Sequence, residues 1–377
     1  MKKNTLNILL LILISANTYA LSRNVQVSLL TQDTGDEMYA YFGHTAIRIK
    51  DDSLHIDRVY NYGTFNFNTP NFYLKFIHGD LDYCLSIDDF DYFVYFSAET
   101  KRTIHEQILN LTYDEKVKLV NLLETCYTTS ARYYRYDFLK NNCATKIRDI
   151  IEEATDNRIN FDNSGFSGQT FRQLLKPFIS KNYWADLGIN LATGMETDKV
   201  ASPSDYMFLP VYIHDYLENS EFAQPSYVLL DASVKKESKF NFSYLSPWVI
   251  VLLLIALSFL SKTRKIILYT VSIIFTLLGL LLLFLSVYSL HLAISDNLNV
   301  LWTLPAILMI IFRKRNFHNY LKLAYLIIIV LFISLQNIIP QAISFTFIPW
   351  MILLVVIILL DIKAINRMVF RKKESLT

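Results

Sequence analysis

YDFLKNNCATKIRDIIEEA, residues 136–154, is the stretch from which the rest of the chain can be read. Ile147, Ile150, Ile151 and Ala154 recur at spacings of three and four, with Lys146, Arg148, Asp149, Glu152 and Glu153 between them. That period is one apolar face of an amphipathic helix. Asn142 is a good cap type, so Cys143 falls in the first turn. A cysteine there feels the positive end of the helix dipole, which favours its thiolate and suits a nucleophile. The competing reading is a small buried cysteine packed under a helix start.

Upstream, residues 25–31 alternate as a strand. Gly43-His44-Thr45-Ala46-Ile47-Arg48-Ile49 alternates again and is β-branched. His44, Ala46 and Arg48 share one face of that strand, and Thr45, Ile47 and Ile49 the other. Residues 57–64, across the turn Asp51-Asp52-Ser53, form the partner strand, with Val59, Asn61 and Gly63 on one face. Antiparallel pairing brings Asn61 near His44. Residues 66–79 are aromatic-rich and end at Gly79, and residues 83–96 are expected to give one or two more strands. Helices are expected over 98–110 and 112–126, the second behind the capping box Thr112-x-x-Glu115. Past 164 the chain reads as a helix, a loop and a second short helix, closed by Pro203 and Pro210. A helical turn at 213–218 follows.

The two ends of the chain place it at a membrane. Lys2 and Lys3, the apolar core 6–14 and Ala20 predict a secretory signal over 1–20, with an uncleaved anchor as the alternative. Beyond a connector at 221–245, five apolar stretches run over 247–261, 266–290, 298–312, 323–339 and 342–360. A spanning helix needs about 20 such residues. Lys262, Arg264 and Lys265 follow the first stretch. Arg313, Lys314, Arg315 and Lys322 follow the third. Lys363, Arg367, Arg371, Lys372 and Lys373 follow the fifth. The connections 291–299 and 336–341 carry no Lys or Arg. This asymmetry predicts an outside N-terminus and a cytoplasmic C-terminus. No ionisable residue is expected inside a span, which argues against a carrier. Trp248, Trp302 and Trp350 are candidates for an outer interfacial lip. A net charge of +2 gives no reason to invoke nucleic acid. The cysteines, Cys84, Cys126 and Cys143, are too few for a disulfide scaffold, although Cys84 and Cys126 could pair.

A thiol, an imidazole and a polar group that orients the imidazole are the parts of a Cys–His centre, and chain order is no constraint on it. The segments GDEMYAYFGHTAIRI, VYNYGTFNFNTPNFYLKFIHG, RYDFLKNNCATKIRDIIE, FRQLLKPF, WADLGINLATGMETDK and DYMFLP, with the apolar tail behind them, resemble the Lnb-type lipoprotein N-acyltransferases. More loosely, HTAIRI and NNCAT resemble the permuted Cys–His fold of lecithin:retinol acyltransferase and NlpC-type hydrolases. The resemblance implies an α+β chain: a signal peptide at 1–20, a permuted papain-like periplasmic domain at 21–220 and an all-α five-helix transmembrane domain at 246–377. It implies a periplasm-facing enzyme of the bacterial inner membrane with His44 and Cys143 as the catalytic pair. Asn61 enters as the third group from strand pairing, and Asn142 as an aid to the oxyanion. The expected reaction moves an acyl chain from a phospholipid to a lipoprotein through a thioester, with no cofactor or metal. A membrane-anchored peptidase or cell-wall amidase is the alternative.

Overall fold

The hairpin expected from the Asp51-Asp52-Ser53 turn lies at the centre of a seven-stranded antiparallel sheet. The computed structural model describes residues 21–35, 37–232, 245–311 and 318–374. The expected signal segment 1–20 and the basic cluster 313–315 lie outside them. In chain order the first domain consists of β1 (Gln26–Gln32), β2 (His44–Asp51), β3 (Ile56–Thr64), α1 (Phe72–His78), β4 (Asp82–Asp89), α2 (Phe90–Glu99), β5 (Ile104–Ile108), α3 (Tyr113–Thr128), β6 (Tyr133–Arg135) and α4 (Cys143–Ala154). Then follow α5 (Phe171–Ile179), α6 (Tyr183–Ala192), α7 (Pro210–Glu218) and β7 (Tyr227–Leu230). The strands lie in the order β6-β4-β3-β2-β1-β5-β7. The last of them comes from the stretch expected to be a connector.

Two local expectations fail for identifiable reasons. Residues 98–110 are not one helix. α2 ends at Glu99, Lys101 adopts a left-handed conformation (φ 54°), and the chain then extends as β5. Residues 90–96 are helix rather than strand, because Phe93 and Ser97 sit one turn apart and both are buried under the sheet. By contrast, α3 begins at the expected capping box. The Thr112 hydroxyl accepts from Glu115 N–H, and the Glu115 carboxylate accepts from Thr112 N–H.

The main core forms where α3 and α4 cover one face of the sheet. Ile47, Ile49, Tyr60 and Tyr62 meet Leu119 and Leu123 from α3 and Ile147, Ile150 and Ile151 from α4. A smaller core on the other face packs Ala46 and Val59 against Phe93 of α2. The sheet is thus buried on both sides at its centre, where parity of side chains fixes register.

The C-terminal part is helical: α8 (Ser246–Ser258), α9 (Ser261–Tyr288), α10 (Val300–Ile311, with a 3-10 turn at Leu304–Ala306), α11 (His318–Ser334) and α12 (Ile348–Glu374). Among the described residues, 262–288 and 345–362 are long and apolar enough to cross a membrane, and the other three apolar helices are shorter. Gly279 lets α9 approach α10 closely: a Cβ there would lie 2.6 Å from the Leu304 backbone. The apolar stretches as read hold no ionisable residue, but the helices that contain them do. Lys322 and Asp361 are buried and pair at 2.5 Å between α11 and α12. Each lies one residue outside the apolar stretch read from sequence. Helix packing, rather than apolar length, carries them inside.

The two halves are joined by hydrogen bonds to carbonyls at the C-terminal end of α6. Asn297 Nδ2 donates to Leu191 O (2.7 Å), Asn299 Nδ2 to Asn190 O (3.0 Å) and Gln341 Nε2 to Thr193 O (3.2 Å). At Gly194 any Cβ would lie 1.8 Å from Ser295 O, so this contact requires glycine. Trp302, expected at an exposed lip, is buried, and its Nε1 donates to Asn299. Trp350 Nε1 donates to Tyr183 Oη (2.8 Å), which makes it part of the joint.

Candidate functional site

Cys143 stands at the first turn of α4, as the periodicity required, and the turn before it is heavily fastened. Asn142 Oδ1 accepts from Ala144 N–H (2.9 Å) and Thr145 N–H (3.0 Å). Its Nδ2 donates to Phe138 O and Phe208 O, both at 2.8 Å. Removing a cap alone costs about 1 kcal/mol, and here two buried carbonyls would lose a donor as well. All of the Asn142 amide is therefore committed. It positions Cys143 and has no donor left for an oxyanion, contrary to the expectation from sequence.

Burial raises the Cys143 thiol, while the backbone amides of Thr45, Ala144 and Cys143 and the Arg102 charge lean it down. The helix start alone would favour a thiolate. Desolvation is the larger effect, so the resting group is a thiol. The site is crowded from above as well. Gly63 of β3 faces the cysteine, and a Cβ there would lie 3.5 Å from Cys143 Cβ.

His44 opens β2, next to Thr45, whose amide acts on the Cys143 sulfur. His44 Nε2 lies 3.2 Å from Asn61 Oδ1, the contact expected from strand parity. Asn61 Nδ2 donates to Asp88 Oδ2 at 2.7 Å, which fixes the amide with its oxygen towards the imidazole. Nε2 then carries the proton and Nδ1 keeps its lone pair. Burial and the nearby Arg102 cation push His44 down to about 4, against a partial lift from Asn61. An imidazole held neutral in this way is able to take up a proton.

Residues that sequence reasoning missed complete the surroundings. Arg102, at the end of the α2 turn, is buried and acts on both His44 and Cys143. Tyr134 and Tyr136 are both raised by burial and, next, by the neighbouring Cys143. Tyr136 stacks on Tyr83 at 4.4 Å, and Tyr83 leads through Phe65 (5.2 Å) to Phe72 of α1 (5.8 Å). An aromatic wall thus runs from the thiol to α1, where Tyr73, Leu74 and Phe76 are exposed. The aromatic richness of residues 66–79 was the one available signal.

The remaining thiols stand apart in character. All three cysteines are free. Cys126 Sγ donates to Ala131 O and accepts from Tyr62 Oη (3.4 Å). Burial raises Cys84, with Arg132 opposing.

Two family models match the chain. The Lnb N-terminal periplasmic domain matches residues 16–177, and the Lnb transmembrane domain matches residues 235–368. No curated protein and no solved structure matches it.

Proposed function

Since the chain belongs to the Lnb family, an inner-membrane group of lipoprotein maturation with a periplasmic N-terminal domain, we propose that it is a lipoprotein N-acyltransferase working through a thioester on Cys143. What carries this reading is the attachment of the cysteine turn to the membrane half. Asp137 Oδ1 accepts from Leu139 N–H and Lys140 N–H within the turn, while its Oδ2 accepts from Leu292 N–H (3.0 Å) just beyond α9. Around the same loop Leu290 N–H donates to His78 O (2.7 Å), Arg135 Nη2 donates to Leu290 O (2.9 Å), and His291 Nε2 meets Phe76 O (2.9 Å). A thiol fixed to the end of an apolar helix suits a substrate that never leaves the bilayer surface.

The chemistry then runs in two halves. His44 Nδ1 takes the thiol proton as Cys143 Sγ attacks an ester carbonyl of a phospholipid. The amides of Cys143 and Thr45 face the developing oxyanion. The ester C–O bond breaks, the imidazolium returns its proton to the glycerol oxygen, and a lysophospholipid leaves. The α-amine of a diacylglyceryl cysteine attacks the thioester next. Its proton passes through His44 back to the sulfur as the C–S bond breaks. An α-amine with a pKa near 7.7–8.0 is partly neutral at the periplasmic surface, so a weak base is sufficient. No metal or cofactor enters. The Cys143 helix lying across an antiparallel sheet whose strand β2 begins at His44 supports a permuted papain-like arrangement, and the Lys/Arg asymmetry supports five spans with the C-terminus in the cytoplasm.

The exposed aromatics of α1 favour a lipid substrate over a peptide or cell-wall amide. The test is the acylation state of lipoprotein N-termini in cells with and without the protein. N-acylated termini only in its presence are expected, and unchanged termini would contradict the reading.

A further inference from the structure

Arg102 carries a charge the fold does not use up. Its own N–H donates to Ser97 O (2.9 Å) and its Nε to Asp33 O (3.0 Å). The residue is 6% exposed, and its Nη2 is buried with no hydrogen-bond partner among the described residues. It packs beside Gly35, where a Cβ would lie 3.5 Å from Arg102 Cδ. The register places it at the end of the sheet that holds the candidate site. Gln32 of β1 pairs with His44 on one side and with Ile104 on the other, and Arg102 lies two residues before Ile104. The Asp33 carboxylate acts on Arg102 through its charge, after Cys143 and Tyr39, while its Oδ1 lies 3.2 Å from His105 Nε2. A buried guanidinium nitrogen left without a hydrogen-bond partner is costly unless one arrives, and the substrate is the group that comes and goes.

We propose that Arg102 Nη2 binds an anionic oxygen of the acyl substrate next to Cys143. This rests on the acyltransferase reading above and adds a residue to it. Two oxygens have that chemistry: the carbonyl oxygen that becomes negative on thiol attack, and the phosphodiester oxygen of the donor lipid. A guanidinium fork suits either. Its positive charge also acts in the right direction on the pair, favouring the Cys143 thiolate and the unprotonated His44.

The experiment uses the full-length protein in detergent micelles and follows acylation of Cys143 by intact mass. Phosphatidylethanolamine is one donor, and diacylglycerol of the same chains, without phosphate, is the other. Arg102→Gln is expected to slow acylation by phosphatidylethanolamine about 100-fold, the scale of losing one oxyanion donor. Equal slowing with diacylglycerol identifies the carbonyl oxygen, and slowing with the phospholipid alone identifies the phosphate. Alkylation of Cys143 by iodoacetamide should also move to higher pH in Arg102→Gln, a shift that a purely structural role would not produce. If Arg102→Gln fails to accumulate, Arg102→Lys decides. One ammonium must then serve both Asp33 O and the substrate, so acylation slows at least about 10-fold with unchanged melting. Wild-type rates with both donors, in Arg102→Gln or in a folded Arg102→Lys, overturn the proposal. Absence of any acyl adduct on the wild-type protein would instead sink the acyltransferase reading itself.

Discussion

Arg48 and His44 lie on one face of β2, four residues apart, and are treated in opposite ways. Arg48 is saturated. Its Nε and Nη2 donate to Asp57 (2.7 and 2.6 Å), its Nη1 to Glu106 (3.2 and 3.0 Å), and its guanidinium lies 3.3 Å from the centre of the Phe90 ring. Tyr227 of the edge strand donates to Glu106 as well, which ties β7 into the same network. At the other end His44 meets Asn61 at 3.2 Å, and Arg102 keeps one nitrogen unpaired among the described residues. The Asp88 carboxylate behind Asn61 is raised by burial and is turned towards the Asn61 amide. A charge kept for stability is met on every side by opposite charge. The charge proposed for chemistry is left partly unmet, and the cost is borne by the surrounding fold.

The sharpest way to break this contrast is at the reactive end. Cys143→Ser and His44→Ala are each predicted to abolish acyl transfer with unchanged thermal melting. The double variant should be no worse than either single, since both serve one step. A folded single variant with more than residual turnover would break the pairing. At the other end, Arg48→Met should leave activity per folded molecule intact. It should cost about 3–5 kcal/mol of stability by stranding Glu106, read as a lower denaturant midpoint. A neutral result would mean that the network contributes little.

The third effect is intermediate. Asn61→Ala removes the group that orients the imidazole, and on the order of 100-fold in turnover should go, the low end of what acid–base catalysis contributes. Asn61→Asp, which keeps an acceptor towards Nε2, should recover part of it. pH separates the ends further. With His44 held at about 4 against 6.5 in the unfolded chain, the base stays neutral through mildly acidic pH. The acid limb of turnover should therefore fall below pH 6.5. Between those values the unfolded chain binds the extra proton, so this group's contribution to stability falls as pH drops from 6.5 towards 4 and is flat above. His44→Gln should flatten that slope. The smallest effect is expected at Cys84→Ser and Cys126→Ser, which should retain activity. Loss at either would mean that the wrong thiol has been assigned.

How legible this was from sequence depended on range. Alternation and one Asp-Asp-Ser turn were enough for β2, β3 and the His44–Asn61 contact, because face parity needs only local spacing. The 3.6 period was likewise enough for α4 and its cap. Arg102 was missed because residues 98–110 were read as one amphipathic helix, whereas a left-handed Lys101 decides where helix gives way to strand. The tertiary uses of Asn142 also could not be read. An N-cap is recognisable locally, but Phe208 O lies far along the chain. In the membrane half, apolar length marked the helices and missed the buried Lys322–Asp361 pair, which depends on packing between α11 and α12.

The most direct test of the central claim is intact-mass and peptide-level mass spectrometry of the full-length protein, incubated with phospholipid and no lipoprotein acceptor. The account predicts a single acyl adduct on Cys143, labile to hydroxylamine, absent in His44→Ala, and discharged when a diacylglyceryl peptide with a free α-amine is added. An unmodified Cys143 under conditions where acceptor peptides do become N-acylated would contradict it.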